Sequence, residues 1–142
     1  MPVAPSLDTT TLGLPFMDQA HDHFMDLLAQ VLEADDDRVE PTWRALVDCA
    51  AADFAEEDRW MEATGFSSRK VHRMQHLVVL QVMREGLLQA HEGRWLQVRE
   101  MAHQLRAWFA RHAQSLDAAL AHHLRSVQFD PADSSRREPV MV

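Results

Sequence analysis

His72 and His76 stand four residues apart, a spacing that projects both imidazoles from one helix face about one turn apart. Asp53 and Glu57 repeat the spacing with carboxylates, His21 follows Asp18, and His112 precedes Asp117. Each group is flanked by apolar residues of a core-like run. A buried carboxylate or charged imidazole that finds no partner costs several kcal/mol, so such groups reach solvent, pair, or bind a cation. Several of them converging in one interior are best satisfied together by metal.

The donor set is nitrogen and oxygen without sulfur, which suits iron, manganese or zinc and disfavours copper(I). Seven candidate ligands, His21, Asp53, Glu57, His72, His76, His112 and Asp117, are too many for one tetrahedral ion. Two ions sharing bridging carboxylates use them naturally. Taken singly, each piece has a blander reading. His72 with His76 can be a surface or ion-paired couple, and Asp53 with Glu57 a solvated face near Arg59. His112 and Asp117, five residues apart, point about 140° from each other on an ideal helix. Only their joint occurrence argues for a metal site.

Four long helices are expected to position these groups. Tyrosine is absent, only four glycines occur, and Ala, Leu, Glu, Gln, Arg and Met dominate, a composition of helix formers. Residues 1–14 read as an irregular arm. A first helix over 15–34 carries Phe16, Met17, Phe24, Leu27, Leu28, Val31 and Leu32 at three- and four-residue spacing, and the acidic cluster 35–37 closes it. Pro41 suits the first position of a second helix, which ends at Thr64-Gly65 with Gly65 as a left-handed cap.

Ser67 or Ser68 opens a third helix. Its expected inward residues are Val71, Met74, Leu77, Val78, Val82 and Leu87. Gly86 within it costs about 1 kcal/mol relative to alanine. A fourth helix runs from Arg94 to about Val127, with Leu105, Trp108, Phe109, Leu116 and Leu120 inward, and residues 129–142 read as a loose tail. The prediction is all-α: an antiparallel, up-down-up-down four-helix bundle over 15–128. Met17, Met25, Met61, Met74 and Met101 read as packing residues.

Composition excludes several other functions. The 142 residues carry a formal charge of −8, which argues against nucleic acid and anionic membrane surfaces. One cysteine, Cys49, allows no internal disulfide and no thiolate cluster. No phosphate-cradling glycine loop or nucleophile elbow is present. The first 20 residues do not read as a signal peptide and no apolar stretch is long enough for a membrane span, so a cytoplasmic location and a monomer are expected, with no protein partner indicated.

The residues resemble the hemerythrin and bacteriohemerythrin family of non-haem di-iron proteins over roughly residues 12–120. Leu12 to His21 is similar to the family segment G-[IV]-x-x-[IL]-D-x-Q-H. Asp53 to Met61 resembles H-F-x-x-E-E-x-L-M, and Gly65-Phe66 followed by His72 and His76 resembles G-[YF]-P-x4-H-x3-H. Trp108 to His112 with Asp117 resembles W-L-x-x-H-I-x3-D. The resemblance implies two iron ions joined by an oxo or hydroxo bridge, with one metal, or zinc or manganese, as alternatives. It implies that His72, His76 and His112 hold one iron, that His21 and residue 53 serve the other, and that Glu57 and Asp117 bridge them.

It also implies binding or sensing of dioxygen, or a related diatomic ligand, rather than enzymatic turnover. Phe54, Trp108 and Phe109 would form the surrounding apolar shell. Asp53 departs from the pattern, since the family carries histidine there. That extra carboxylate raises the alternative of a di-iron redox enzyme: an oxidase, a peroxidase or a nitric-oxide-handling protein. Glu56 is the nearest substitute ligand. A structural or storage metal bundle is the third reading.

Overall fold

A computed structural model describes residues 11–132; most of the expected arm and tail, residues 1–10 and 133–142, lies outside them. The described chain forms α1 (Pro15–Glu33), α2 (Asp36–Ala63), α3 (Arg69–His91) and α4 (Trp95–His112). A π-helical turn (Ala113–Asp117) then runs directly into α5 (Ala118–Ser126), so α4, the turn and α5 make one rod. The fold is an all-α four-helix bundle.

Cross-helix pairs give the direction of each rod. Along α2 and α3, Asp58 meets His76, Trp43 meets Met83 and Glu40 meets His91, so one helix number rises as the other falls. Along α1 and the fourth rod, His21 approaches Asp117, Phe24 meets Phe109, and Ala34 accepts from Arg99. Short turns join α1 to α2 and α3 to α4.

Three boundaries differ from the sequence reading. The acidic residues at 35–37 start α2 rather than ending α1, because Asp36 and Asp37 in a first turn complement the positive end of the helix dipole. Pro41 consequently lies inside α2 as its sixth residue, where it removes one bond of the hydrogen-bond ladder in the second turn. The fourth helix is interrupted by the π turn. Gly65 has φ of +64°, the left-handed cap conformation expected there.

The third helix presents the opposite face from that predicted. Val71, Met74, Leu77, Val78 and Val82 are each half or more exposed. Its inner face is His72, His76, Val79, Leu80, Met83, Gly86 and Ala90. At 100° per residue both stripes fit one helix, and the imidazoles take the inside. Met74 is therefore not a core residue.

Gly86 is explained by Trp43. A Cβ at position 86 would lie 2.8 Å from the indole, which is almost fully buried and donates its Nε1–H to the Met83 carbonyl.

Two apolar clusters fill the bundle. The larger contains Phe24, Leu28, Trp43, Leu46, Met83, Leu105 and Phe109. The smaller contains Met17, Trp60, Met61, Phe66, Leu120 and Leu124. Phe129, the first residue of the expected tail, lies against Phe16 and Trp60. On α1 and α2 the buried polar residue falls in sequence between the two clusters, as Asp117 does on the fourth rod, and His72 and His76 lie between Phe66 and Val79. They form a layer sandwiched between two dry ends.

Candidate metal centre

All six buried polar or charged residues of the described chain belong to this layer: His21, Glu57, His72, His76, His112 and Asp117. Glu57, His72, His76, His112 and Asp117 each offer a ligand atom, and these atoms lie within 4.8 Å of one another. α2 supplies Glu57, α3 supplies the His72–His76 pair, and the fourth rod supplies the rest.

The π turn is what brings Asp117 to His112. An α-helix would carry residue 117 well around the rod from residue 112. A π turn bonds i to i+5, so the two stack on one face, with His112 Nε2 3.0 Å from Asp117 Oδ1. The wide turn accommodates the extra residue without rotating Leu120 and Leu124 out of the lower core.

The carboxylates each face two ways. Asp117 Oδ1 lies 2.9 Å from His72 Nε2, while Oδ2 lies 3.1 Å from His21 Nε2. Glu57 Oε1 lies 3.2 Å from His76 Nε2 and 3.4 Å from His72 Nε2, while Oε2 lies 3.9 Å from His21 Nε2. One set of oxygens faces three imidazoles and the other faces one.

Despite these approaches, Nε2 of His21, His72, His76 and His112 makes no well-oriented hydrogen bond, nor do Glu57 Oε1 and Asp117 Oδ1. Buried polar atoms are almost always satisfied. Here the orphans converge on a common centre, as ligands of a cation do, and the residues fit a metal.

Of the four opposite ring nitrogens, those of His76 and His112 are anchored, while Nδ1 of His21 and of His72 is buried without a partner. His76 Nδ1–H donates to Asp58 Oδ1 at 2.9 Å, and His112 Nδ1–H donates to Gln75 Oε1 at 3.0 Å. Such contacts place the proton on Nδ1 and leave the Nε2 lone pair facing the centre. Sequence reasoning missed Asp58 and Gln75. Each merely adjoins a ligand in sequence, and only the packing of α2 on α3 and α3 on α4 gives them a role.

Aromatic rings close the layer. Phe54 stacks on His76 at 4.0 Å, Trp108 stacks on His112 at 4.5 Å, and Phe109 sets its edge against His21 at 5.0 Å.

Electrostatics follow from the same packing. Burial lowers the proton affinity of His21, but Asp117 and Glu57 outweigh it and raise its pKa to about 10. His72 is raised to about 9 by the same two carboxylates against burial, and His76 is raised by Asp58 and Glu57. Burial and the Asp117 charge push the Glu57 carboxyl up, yet His21, His72 and His76 hold it at about 2. Asp117, opposed by burial, is held well below the usual range by His112, His21 and His72.

The remaining candidates lie apart. Asp53 is half-buried and outside the five-residue group. Its Oδ2 accepts from the Cys49 thiol at 3.5 Å. Burial and the charges of Glu57 and Glu56 raise it to about 6, against the opposing effects of Cys49 and His21. Burial, then the Asp53 charge, pushes the Cys49 thiol up to about 12. Glu56 is exposed and pairs with Arg59 at 3.5 Å. Asp18 accepts from the backbone N–H of Leu12 and Gly13. His123 meets Thr64 and Phe66 at the lower end of the bundle.

The chain is 32% identical over 117 residues to a bacteriohemerythrin of Ralstonia nicotianae, a match that covers 82% of this chain and 85% of that protein. No protein-family model matches the chain, and no solved structure does. Among the described residues, no helix is long and apolar enough to cross a membrane.

Proposed function

Since the chain belongs to the bacteriohemerythrin family, we propose that it is a non-haem di-iron protein that binds or senses dioxygen or a related diatomic ligand. One observation carries the reading: Glu57 and Asp117 each turn one oxygen to the three-imidazole side and the other to His21. Two carboxylates with this division suit two ions rather than one. His72, His76 and His112 would hold the first, His21 the second, and Glu57 and Asp117 both; Asp53, whose Oδ2 accepts from the Cys49 thiol, would join His21 only by turning away from that thiol. Bound iron supplies a redox-active centre able to take up a diatomic ligand.

The chain's own residues prepare that centre. Asp58 and Gln75 keep the Nε2 lone pairs of His76 and His112 aimed inward. Phe54, Trp108 and Phe109 exclude water, which strengthens the ion–carboxylate attraction and protects a reduced centre from proton-coupled side reactions. The test is metal analysis of protein expressed with ample iron, followed by visible spectra of the reduced protein before and after air. About two irons per chain and a new visible band support the reading. An iron content near zero ends it.

Asp53 favours a second reading, a di-iron redox enzyme on the same scaffold. A carboxylate beside His21 is a harder, anionic donor that stabilises the ferric state relative to imidazole. Rapid oxidation of the reduced protein by air, slowed in Asp53→His, supports it. A lifetime of many minutes in air for the unmodified protein argues for binding alone.

A further inference from the structure

The His21 side of the centre is short of donors. Nε2 atoms of His72, His76 and His112 face one set of carboxylate oxygens, and His21 Nε2 alone faces the other. His21 is 5% exposed, and neither of its ring nitrogens makes a hydrogen bond. A buried imidazole left open in this way points to a ligand on its own side. Asp53 is half-buried and feels the charges of both His21 and Glu57.

Cys49, Asp53 and Glu57 follow one another at four-residue intervals on α2, so they form a row with about 6 Å between neighbours along the axis. Asp53 is the middle member. A helical side chain leans over the turn N-terminal to its own Cα, which for Asp53 is the turn of Cys49. Its Oδ2 accepts from the Cys49 thiol at 3.5 Å. Glu57 leans in its turn towards Asp53, which sets two like charges together, and a cation on the His21 side would relieve that repulsion. The thiol and such a cation therefore compete for one carboxylate.

The two competitors differ in strength. Burial and the Asp53 charge keep the thiol protonated, so it acts as a donor and not as a thiolate ligand. It is a weak donor, and its bond to a carboxylate is worth a factor of about three to ten. That holds Asp53 in the metal-free protein. It is too little to withhold a carboxylate from a divalent cation, whose attraction at a half-buried site is larger.

We propose that Cys49 is a positioning residue for the His21 side of the centre: its thiol holds the Asp53 carboxylate off the metal-free site and yields it to the second ion. The second ion consequently binds more weakly than it would without the thiol, and the three-imidazole side fills first. This role rests on the two-ion reading above.

The chain has one cysteine, so its S–H stretching band in the infrared reports on Cys49 alone. In the metal-free protein Asp53→Ala should move that band to higher frequency, as the thiol loses its acceptor. Ferrous iron added under argon should leave the band in place through the first equivalent and move it in the same sense during the second. Competition with a chelator reads the affinities. Cys49→Ala should tighten the second ion about three- to tenfold and leave the first unchanged. Asp53→Ala should weaken the second ion, and adding Cys49→Ala to it should change nothing further.

A Cys49 that merely packs would give a different pattern: a lower melting temperature and both ions weakened in Cys49→Ala, which overturns the proposal. Two ions bound with the S–H band unmoved, or a gain in Cys49→Ala that persists without Asp53, overturns it while leaving the di-iron reading intact. One ion or none, in protein loaded with excess iron, ends both.

Discussion

Glu57 and Asp117 divide their oxygens in the same sense: Oε1 and Oδ1 turn to His72, while Oε2 and Oδ2 turn to His21. The two carboxylates therefore serve both sides of the layer, whereas each imidazole serves one. Substitutions should reflect that asymmetry.

His21→Ala removes a donor from one side only and should retain about one metal per chain. Asp117→Ala removes a donor from both sides and leaves His21, His72 and His112 without their shared acceptor, so content should fall well below one. Elemental analysis of the purified variants reads this directly. Equal losses in the two variants would contradict the two-sided arrangement.

Asp58 acts on metal through His76. Asp58→Ala frees the imidazole to rotate and to place its proton on either nitrogen, and should weaken metal retention about tenfold, measured by competition with a chelator. The melting temperature of the metal-free protein should fall modestly, because buried His76 loses the acceptor of its Nδ1–H. The same measurement on Gln75→Ala reports on His112.

Protonation sets a pH window for the metal-free protein. Glu57 is lowered from 4.5 to about 2 and Asp117 is lowered further than usual, so their contribution is full above about 4.5 and is lost as pH falls towards 2. His21 and His72 are raised from 6.5 to about 10 and about 9, so theirs is full below about 6.5 and is lost as pH rises through 9 to 10. Stability in chelator should peak between those limits. Metal binding near neutrality must displace protons from these imidazoles, so affinity should rise with pH. Urea melts over a pH series, and calorimetric titration in buffers of different ionisation enthalpy, measure both. Metal-free stability that is flat from acid to alkali would refute the paired network.

Gly86→Ala tests the fit of α3 on α2. Helix propensity alone favours alanine by about 1 kcal/mol. The added methyl would meet the Trp43 indole, fixed by its bond to the Met83 carbonyl, and overpacking of that kind costs about 1–3 kcal/mol. A lower melting temperature is expected. An increase would mean that Trp43 yields.

The sequence by itself determined the four helical segments and singled out most of the polar residues that the fold buries. Spacing marked Glu57, His72, His76, His112 and Asp117 together with Asp53, because their joint occurrence inside apolar runs of helical period argued for an interior; it could not separate the clustered five from half-buried Asp53. Gly65 announced its turn for the same local reason. Local pattern could not choose between the two faces of α3, because both Val71–Val82 and His72–Ala90 satisfy a helical period. Packing chose, by giving the inside to the side chains that other helices could satisfy. Nor could it place the π turn, since a spacing of five from His112 to Asp117 looks wrong on an ideal helix. The wide turn resolves a conflict between two distant demands: a shared carboxylate in the middle layer, and Leu120 and Leu124 in the lower core. Only tertiary structure meets both, because neither is visible within one turn of chain.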